Sequence, residues 1–315
     1  MSGTHPVPSE AARQLVEGAY DLHVHVLPDV FERKTTDLQL AERFRELRLG
    51  GFALKSHYTM TAERAAVVRA ATGVDVLGGI TLNSVVGGIN PAAVEICART
   101  GGRFVWLPTF DSVNEAGSVN NVRPTGTPPA WAALRAEFAR KGLTAEPVRV
   151  IDDSGDLLPE VRAVLRIVAD HRLVLCTGHL SATEIPVVVR GAREEGVENI
   201  IITHPDFPSQ SVPVEEQVRL ADQGCLLERC FGTPYAGRVP WEVMFANIRA
   251  AGAGASIITS DLGQVHNPPV EDGLALMADR LLAAGFTEAD VHTMTVSNPR
   301  RVAGADVTRE AIHNT

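Results

Sequence analysis

Residues 20–26 read YDLHVHV, and LPD follows to residue 29. On a β-strand, residues i and i+2 share a face. His23 and His25 should therefore be neighbours, with Leu22, Val24 and Val26 turned the other way. Two adjacent imidazoles can share one metal ion, or they can be two unrelated core histidines. The apolar residues between them suit a strand covered on both faces, as in parallel sheets.

Working outward, comparable runs recur at 51–57 (GFALKSH), 75–82 (DVLGGITL), 103–109 (RFVWLPT), 172–179 (RLVLCTGH), 199–205 (NIIITHP), 225–230 (CLLERC) and 256–262 (SIITSDL). Segments with helical spacing separate them, at 38–48, 61–72, 91–100, 159–170, 183–195, 213–223, 241–252 and 270–284. Pro91 behind Asn90 suits a first-turn proline after a cap. Gly142, Gly196, Gly224 and Gly285 stand where helices should stop. Eight strands, each followed by a helix, predict an α/β fold, a (β/α)8 TIM barrel, as one domain over 1–315. A long insertion at about 110–158 follows the fourth strand. It contains a polar Gly-, Pro- and Asn-rich stretch, then a hairpin expected at Asp-Ser-Gly within VRVIDDSGDLLPE. Such an insertion lies on the active-site face, as a lid or as an ordinary surface loop.

Composition narrows the partners. A net charge of −9 with pI near 5.6, and no basic block, argue against nucleic acid and anionic membranes. Cys97, Cys176, Cys225 and Cys230 form no Cys-x-x-Cys pair. The start, MSGTHPVPSEAARQ, lacks the pattern of a secretory signal, and no apolar run is long enough to span a bilayer. A cytoplasmic location is the expectation. Lysine occurs only at 34, 55 and 141, so Lys55 within a strand draws notice.

Polar residues gather at the carboxyl ends of the strands. They are His23 and His25 on the first, Lys55 and His57 on the second, His179 on the fifth, His204 on the sixth and Asp261 on the eighth. In a barrel these ends converge on one mouth. Neutral imidazole and carboxylate suit Zn²⁺, and also Mn²⁺ or Fe²⁺. His23, His25, His179 and Asp261 could hold one ion; His204 and a bridging group would extend the site to two. A divalent ion there would lower the pKa of its water to about 7. Asp261 could take that proton and later return it to a leaving group.

This set resembles the amidohydrolase superfamily. The resemblance runs over 20–263, and DLHVH, GHLS, ITHP and SDLGQ are similar to a metal-dependent hydrolase branch without assigned activities. It implies that His23, His25, His179, His204 and Asp261 are metal ligands, with Asp261 also the proton shuttle. One departure stands out. Many binuclear members carry a carboxylated lysine or a glutamate at the end of strand four, where this chain has Leu107-Pro108-Thr109. Lys55 is the available substitute, as a carbamate bridge between two ions, as an ammonium contacting substrate, or as a structural salt bridge. His57, two residues on, could touch metal or substrate, or be a hydrogen-bonded structural histidine. Arg229 could anchor a substrate carboxylate or form a rim salt bridge. Asn83 could contact substrate or make a turn, and Tyr235 could close over the mouth. Trp106 and Phe104 read as barrel filling. His5, His171, His266, His292 and His313 carry no supporting pattern.

The expected activity is hydrolysis of an amide, lactam, lactone or related C–N or C–O bond of a small molecule, with one or two divalent ions, zinc foremost. A homo-oligomer is expected from enzymes of this kind. Two other enzyme classes compete. One is a mononuclear metal-dependent decarboxylase of an aromatic or unsaturated acid. The other is a phosphoesterase of the polymerase-and-histidinol-phosphatase type, which the lack of a histidine after Asp261 disfavours. A metal-free barrel acting as a scaffold fits least.

Overall fold

A computed structural model describes residues 5–117, 130–143 and 146–305. His313 and residues 118–129 of the polar stretch lie outside the described residues. Among the described residues there are nine parallel segments: β1 (Tyr20–Val24), β2 (Gly51–Leu54), β3 (Asp75–Leu77), β4 (Gly79–Thr81), β5 (Phe104–Trp106), β6 (Val174–Cys176), β7 (Asn199–Ile202), β8 (Leu226–Cys230) and β9 (Ser256–Thr259). They pair in the orders β1-β2-β3 and β4 through β9.

The predicted third strand is thus one stave broken at Gly78. The break has a steric cause. A Cβ on Gly78 would sit 2.5 Å from the Thr61 carbonyl oxygen, so the helix entry is pressed against this point. Thr61 bridges the gap, donating from Oγ1 to Leu54 O at 2.8 Å and accepting there from Gly79 N at 2.9 Å. Closure between the last and first staves lies just beyond β9. Asp261 N donates to His23 O and His25 N donates to Leu262 O, both at 2.9 Å. The (β/α)8 barrel is therefore present with eight staves. Its helices lie at Asp37–Glu46, Ala62–Thr72, Pro91–Arg99, Pro159–Asp170, Glu184–Glu194, Val214–Asp222, Trp241–Ala251 and Gly273–Ala283.

Local chemistry agrees with the sequence at several ends. Asn90 accepts from Ala93 N ahead of Pro91, and Gly142, Gly196, Gly224 and Gly285 all have positive φ. The expected hairpin forms, with Ile151 bridging Leu157 in antiparallel fashion.

The interior is layered. Tyr20, Leu22, Ala53, Leu77, Phe104, Trp106, Val174, Cys176, Ile201, Leu226 and Ile257 fill the lower barrel, with Val302 beneath them. Two larger apolar clusters lie between staves and helices. Leu22 departs from the expected alternation. Val24 and Val26 pack outside, under the helices, but Leu22 packs inside. Pairing of β1 with β2 shifts register between Asp21 and Val24, which lets Leu22, His23 and His25 all serve the interior side.

Candidate metal centre

Above the apolar floor lies a cavity of about 440 Å³. Seven of the residues expected at the site line it: His23, His25, Lys55, His57, His179, His204 and Asp261. They come from five different staves, so only barrel closure brings them together. His204 and Asp261 have φ of 25° and 51°, in the left-handed region. Such backbone costs of order 1–3 kcal/mol in a non-glycine residue and gathers at functional sites.

The imidazoles form a ring of neighbours. Centroid distances are 5.2 Å for His23–His25, 4.9 Å for His25–His57, 6.2 Å for His57–His179, 5.0 Å for His179–His204 and 6.0 Å for His204–His23. Asp261 Oδ1 lies 3.3 Å from His23 Nε2 and 3.2 Å from His25 Nε2. These three residues bring ligand atoms within 4.8 Å of one another.

What stands behind the rings decides their suitability as ligands. His23 Nδ1 meets Glu228 Oε1 at 3.0 Å. His204 Nδ1 meets Gln210 Oε1 at 3.1 Å, and Gln210 Nε2 in turn donates to Gly178 O, which fixes the amide. His179 Nδ1 lies 3.4 Å from Glu115 Oε2. For His23 and His204 the acceptor behind Nδ1 holds the proton there and leaves the Nε2 lone pair for a metal. His25 has no such support; among the described residues neither its buried Nδ1 nor that of His179 makes a hydrogen bond, although Glu115 lies at ion-pair distance from His179. The donor set of imidazole nitrogens and one carboxylate fits a divalent ion such as zinc.

Burial holds His25 down to about 4 and His204 to about 3, so both rings are neutral at pH 7. It also lowers Lys55 and carries His57 well below the usual histidine range. Burial alone would raise Asp261 and Glu228. Interactions with His23 first, and with further histidines and Lys55, instead keep Asp261 well below the carboxylate range and Glu228 at about 2. Lys55 Nζ is 3.0 Å from His23 Nε2 and 5.8 Å from the Trp106 ring centre.

Three expected substrate contacts lie elsewhere. Arg229 is fully buried and directed away from the cavity; its NH1 donates to Asp206 Oδ2 and Gln217 Oε1, each at 2.7 Å. The substrate-anchor reading is corrected to a buried ion pair. Strand parity is the reason: Leu226 packs inside the barrel and Leu227 outside, so Glu228 faces in and Arg229 out. Asn83 is buried and bonds to His57 O, Thr109 Oγ1 and Thr109 N, behind the cavity wall. Tyr235 lines an adjoining depression that shares Asp261, Phe207 and Arg238 with the main cavity.

The sequence reading also missed residues. Glu228 was readable from strand alternation. Glu115, Phe110 and Trp131, from the segment after β5, had no readable signal, because their approach depends on chain path. Phe110 stacks on His57 at 3.9 Å and Trp131 on Phe110 at 5.2 Å, which makes an aromatic wall.

A family model described as "Family of unknown function (DUF6282)" matches residues 18–228. The chain belongs to this family. The DUF6282 match runs from just before β1 to Glu228 and so includes all five ring histidines. None of the curated proteins matches the sequence. Solved structures similar to this DUF6282 protein share its fold. One is an amidohydrolase from Pseudomonas aeruginosa, with 13% identity over 93% of this chain and 98% of that one, TM-score 0.59. Another is the probable dipeptidase PvdM from Pseudomonas aeruginosa, with 12% identity over 94% and 97%, TM-score 0.57. A third is the phosphotriesterase homology protein from Escherichia coli, with 12% identity over 90% and 98%, TM-score 0.55. The barrel is thus of the kind found in amidohydrolases and phosphotriesterase-like proteins. No helix among the described residues is long and apolar enough to cross a membrane.

Proposed function

We propose that this DUF6282 protein is a metal-dependent hydrolase acting on an amide, lactam, lactone or related C–N or C–O bond of a small molecule. The observation that carries this reading is the pair of acceptors behind His23 and His204. Each frees an Nε2 lone pair in one cavity that also holds His25, His179 and Asp261. His23, His25, His179, His204 and Asp261 would hold a divalent ion, zinc foremost, which would supply Lewis-acid polarisation of a carbonyl and a water acidified toward neutral pH. Asp261 lines the cavity and is held ionised, and in this reading it accepts a proton and returns it to the leaving group. Phe110 and Trp131 form one wall against which a flat substrate group can lie.

Lys55 is assigned to the metal centre as a carbamate formed with CO₂. It is buried, its Nζ reaches His23 Nε2, and the end of β5 offers neither lysine nor glutamate.

The test is metal content by inductively coupled plasma mass spectrometry, on protein purified without chelator and with bicarbonate. A panel of esters, lactones, lactams and dipeptides is then assayed before and after metal removal. Bound metal, with hydrolysis lost on chelation and restored on readdition, supports the reading. No metal after incubation with zinc or manganese sinks it. Lys55→Ala should bind fewer ions than wild type; an equal count would return Lys55 to a substrate contact. CO₂ release from an aromatic acid, without hydrolysis of the panel, would favour the decarboxylase.

A further inference from the structure

The hydrogen bonds behind His57 determine which ring nitrogen carries its proton, and the result is opposite to that for His23 and His204. The chain of bonds starts at a backbone amide, whose polarity is invariable. Thr109 N donates to Asn83 Oδ1 at 2.8 Å. This orients the Asn83 amide, so that Nδ2 donates to His57 O at 3.0 Å and to Thr109 Oγ1 at 2.8 Å. Thr109 Oγ1 is thereby an acceptor with a hydrogen of its own to place. Thr109 is fully buried, and a buried hydroxyl hydrogen without an acceptor is costly. Among the described residues its one acceptor is His57 Nδ1, 2.8 Å away. His57 Nδ1 therefore accepts, and in the neutral ring the proton sits on Nε2. The ring lines the cavity, and Nε2 has no hydrogen-bond partner among the described residues. Stacking fixes its plane, with His25 at 4.9 Å and 16° on one side and Phe110 at 3.9 Å and 25° on the other.

We propose that His57 is a catalytic hydrogen-bond donor and not a metal ligand: its Nε2–H is aimed at the substrate oxygen on which negative charge develops. The proposal rests on the hydrolase reading of the cavity. An Nε2 that carries a proton has no lone pair for a metal. A donor already oriented before substrate arrives needs no reorganisation as charge builds up. Asn83 and Thr109 are positioning residues in this arrangement, since they act only through His57. The substrate must then carry an acceptor oxygen at the reacting carbon, as esters, lactones and amides do.

The experiment uses the full chain labelled with ¹⁵N-histidine, metal-free and loaded with Zn²⁺, in wild type, His57→Leu, His57→Gln and Thr109→Val. Acetate, a small oxyanion, is the binding probe. Expected in wild type is a protonated Nε2 and an unprotonated Nδ1 for the ring whose signals vanish in His57→Leu. Thr109→Val should abolish that preference. Zinc stoichiometry should be unchanged in both His57 variants. Acetate affinity for the zinc-loaded protein should fall about 10-fold in His57→Leu and recover in part in His57→Gln, which keeps an N–H donor. An unprotonated Nε2, loss of zinc in His57→Gln, absent acetate binding in wild type, or equal acetate affinity in wild type and His57→Leu overturns the proposal. Failure of wild type to bind zinc at all would instead overturn the hydrolase reading.

Discussion

Glu228 shows how one side chain can set the chemistry of two others. Its Oε1 accepts from His23 Nδ1 and from Thr259 Oγ1, and its Oε2 accepts from His204 N at 3.2 Å. Removing its charge should free the His23 tautomer. Glu228→Gln is expected to weaken metal binding about 10–100-fold, measured by competition with a chromophoric chelator. Unchanged affinity would leave Glu228 with a packing role only. Arg229, one residue on, should behave differently. Replacing it by leucine leaves Asp206 buried without its cation, although Gln217 and Asn247 still donate to that carboxylate. A loss of about 3–5 kcal/mol in urea unfolding is expected, with metal stoichiometry intact. Sequence alone placed the charge of Arg229 at the mouth, because a cation at a strand end is conspicuous. Period-2 alternation was the better guide.

Among the elements, the join between β9 and β1 does most to shape the site. Gly263 has φ of 133°, and a Cβ there would lie 1.6 Å from His25 O. Its carbonyl also accepts from Lys34 N at 2.8 Å. The stave that carries Asp261 can approach the one carrying His25 only because residue 263 has no side chain. Gly263→Ala is expected to destabilise the fold by at least about 3 kcal/mol and to lower metal occupancy. Thermal unfolding with and without zinc checks both. A variant with wild-type melting and metal content would show that the join tolerates a methyl group. The strand ends were legible as elements, whereas the break at Gly78 and the register shift in β1 were not. Both arise from contacts with segments distant in sequence or on another stave.

For the whole molecule, burying so many titratable groups in one cavity makes stability depend on pH. In the metal-free protein, His25 and His204 titrate at about 4 and about 3, against 6.5 when exposed. As pH falls below about 6.5 the unfolded chain takes up protons that the folded one refuses, so stability drops. Asp21 opposes this. Burial raises it from 3.8 to about 7, so the folded form keeps a proton that the unfolded form sheds, and stability falls as pH rises through that range. Two histidines outweigh one aspartate. The stabilisation from Glu228, complete above about pH 4.5, is also lost as pH falls toward 2. The urea midpoint of chelated protein should therefore fall from pH 7 through 5.5 to 4.5. A flat or rising midpoint would mean that the histidines are not buried as neutral rings.

The sequence by itself determined the alternation of buried strands and amphipathic helices, and with it the barrel. It also determined the placing of His23, His25, His179, His204 and Asp261 at strand ends, because both properties are local: one depends on side-chain period, the other on position within a run. Tertiary structure alone decided what stands behind each ring. Glu228, Gln210, Glu115 and Thr109 come from other staves and loops, and which atom faces an imidazole nitrogen depends on barrel closure and register. That difference underlies the proposed contrast between metal-facing lone pairs on His23 and His204 and the inward N–H of His57, although all three read alike as histidines at the ends of strands.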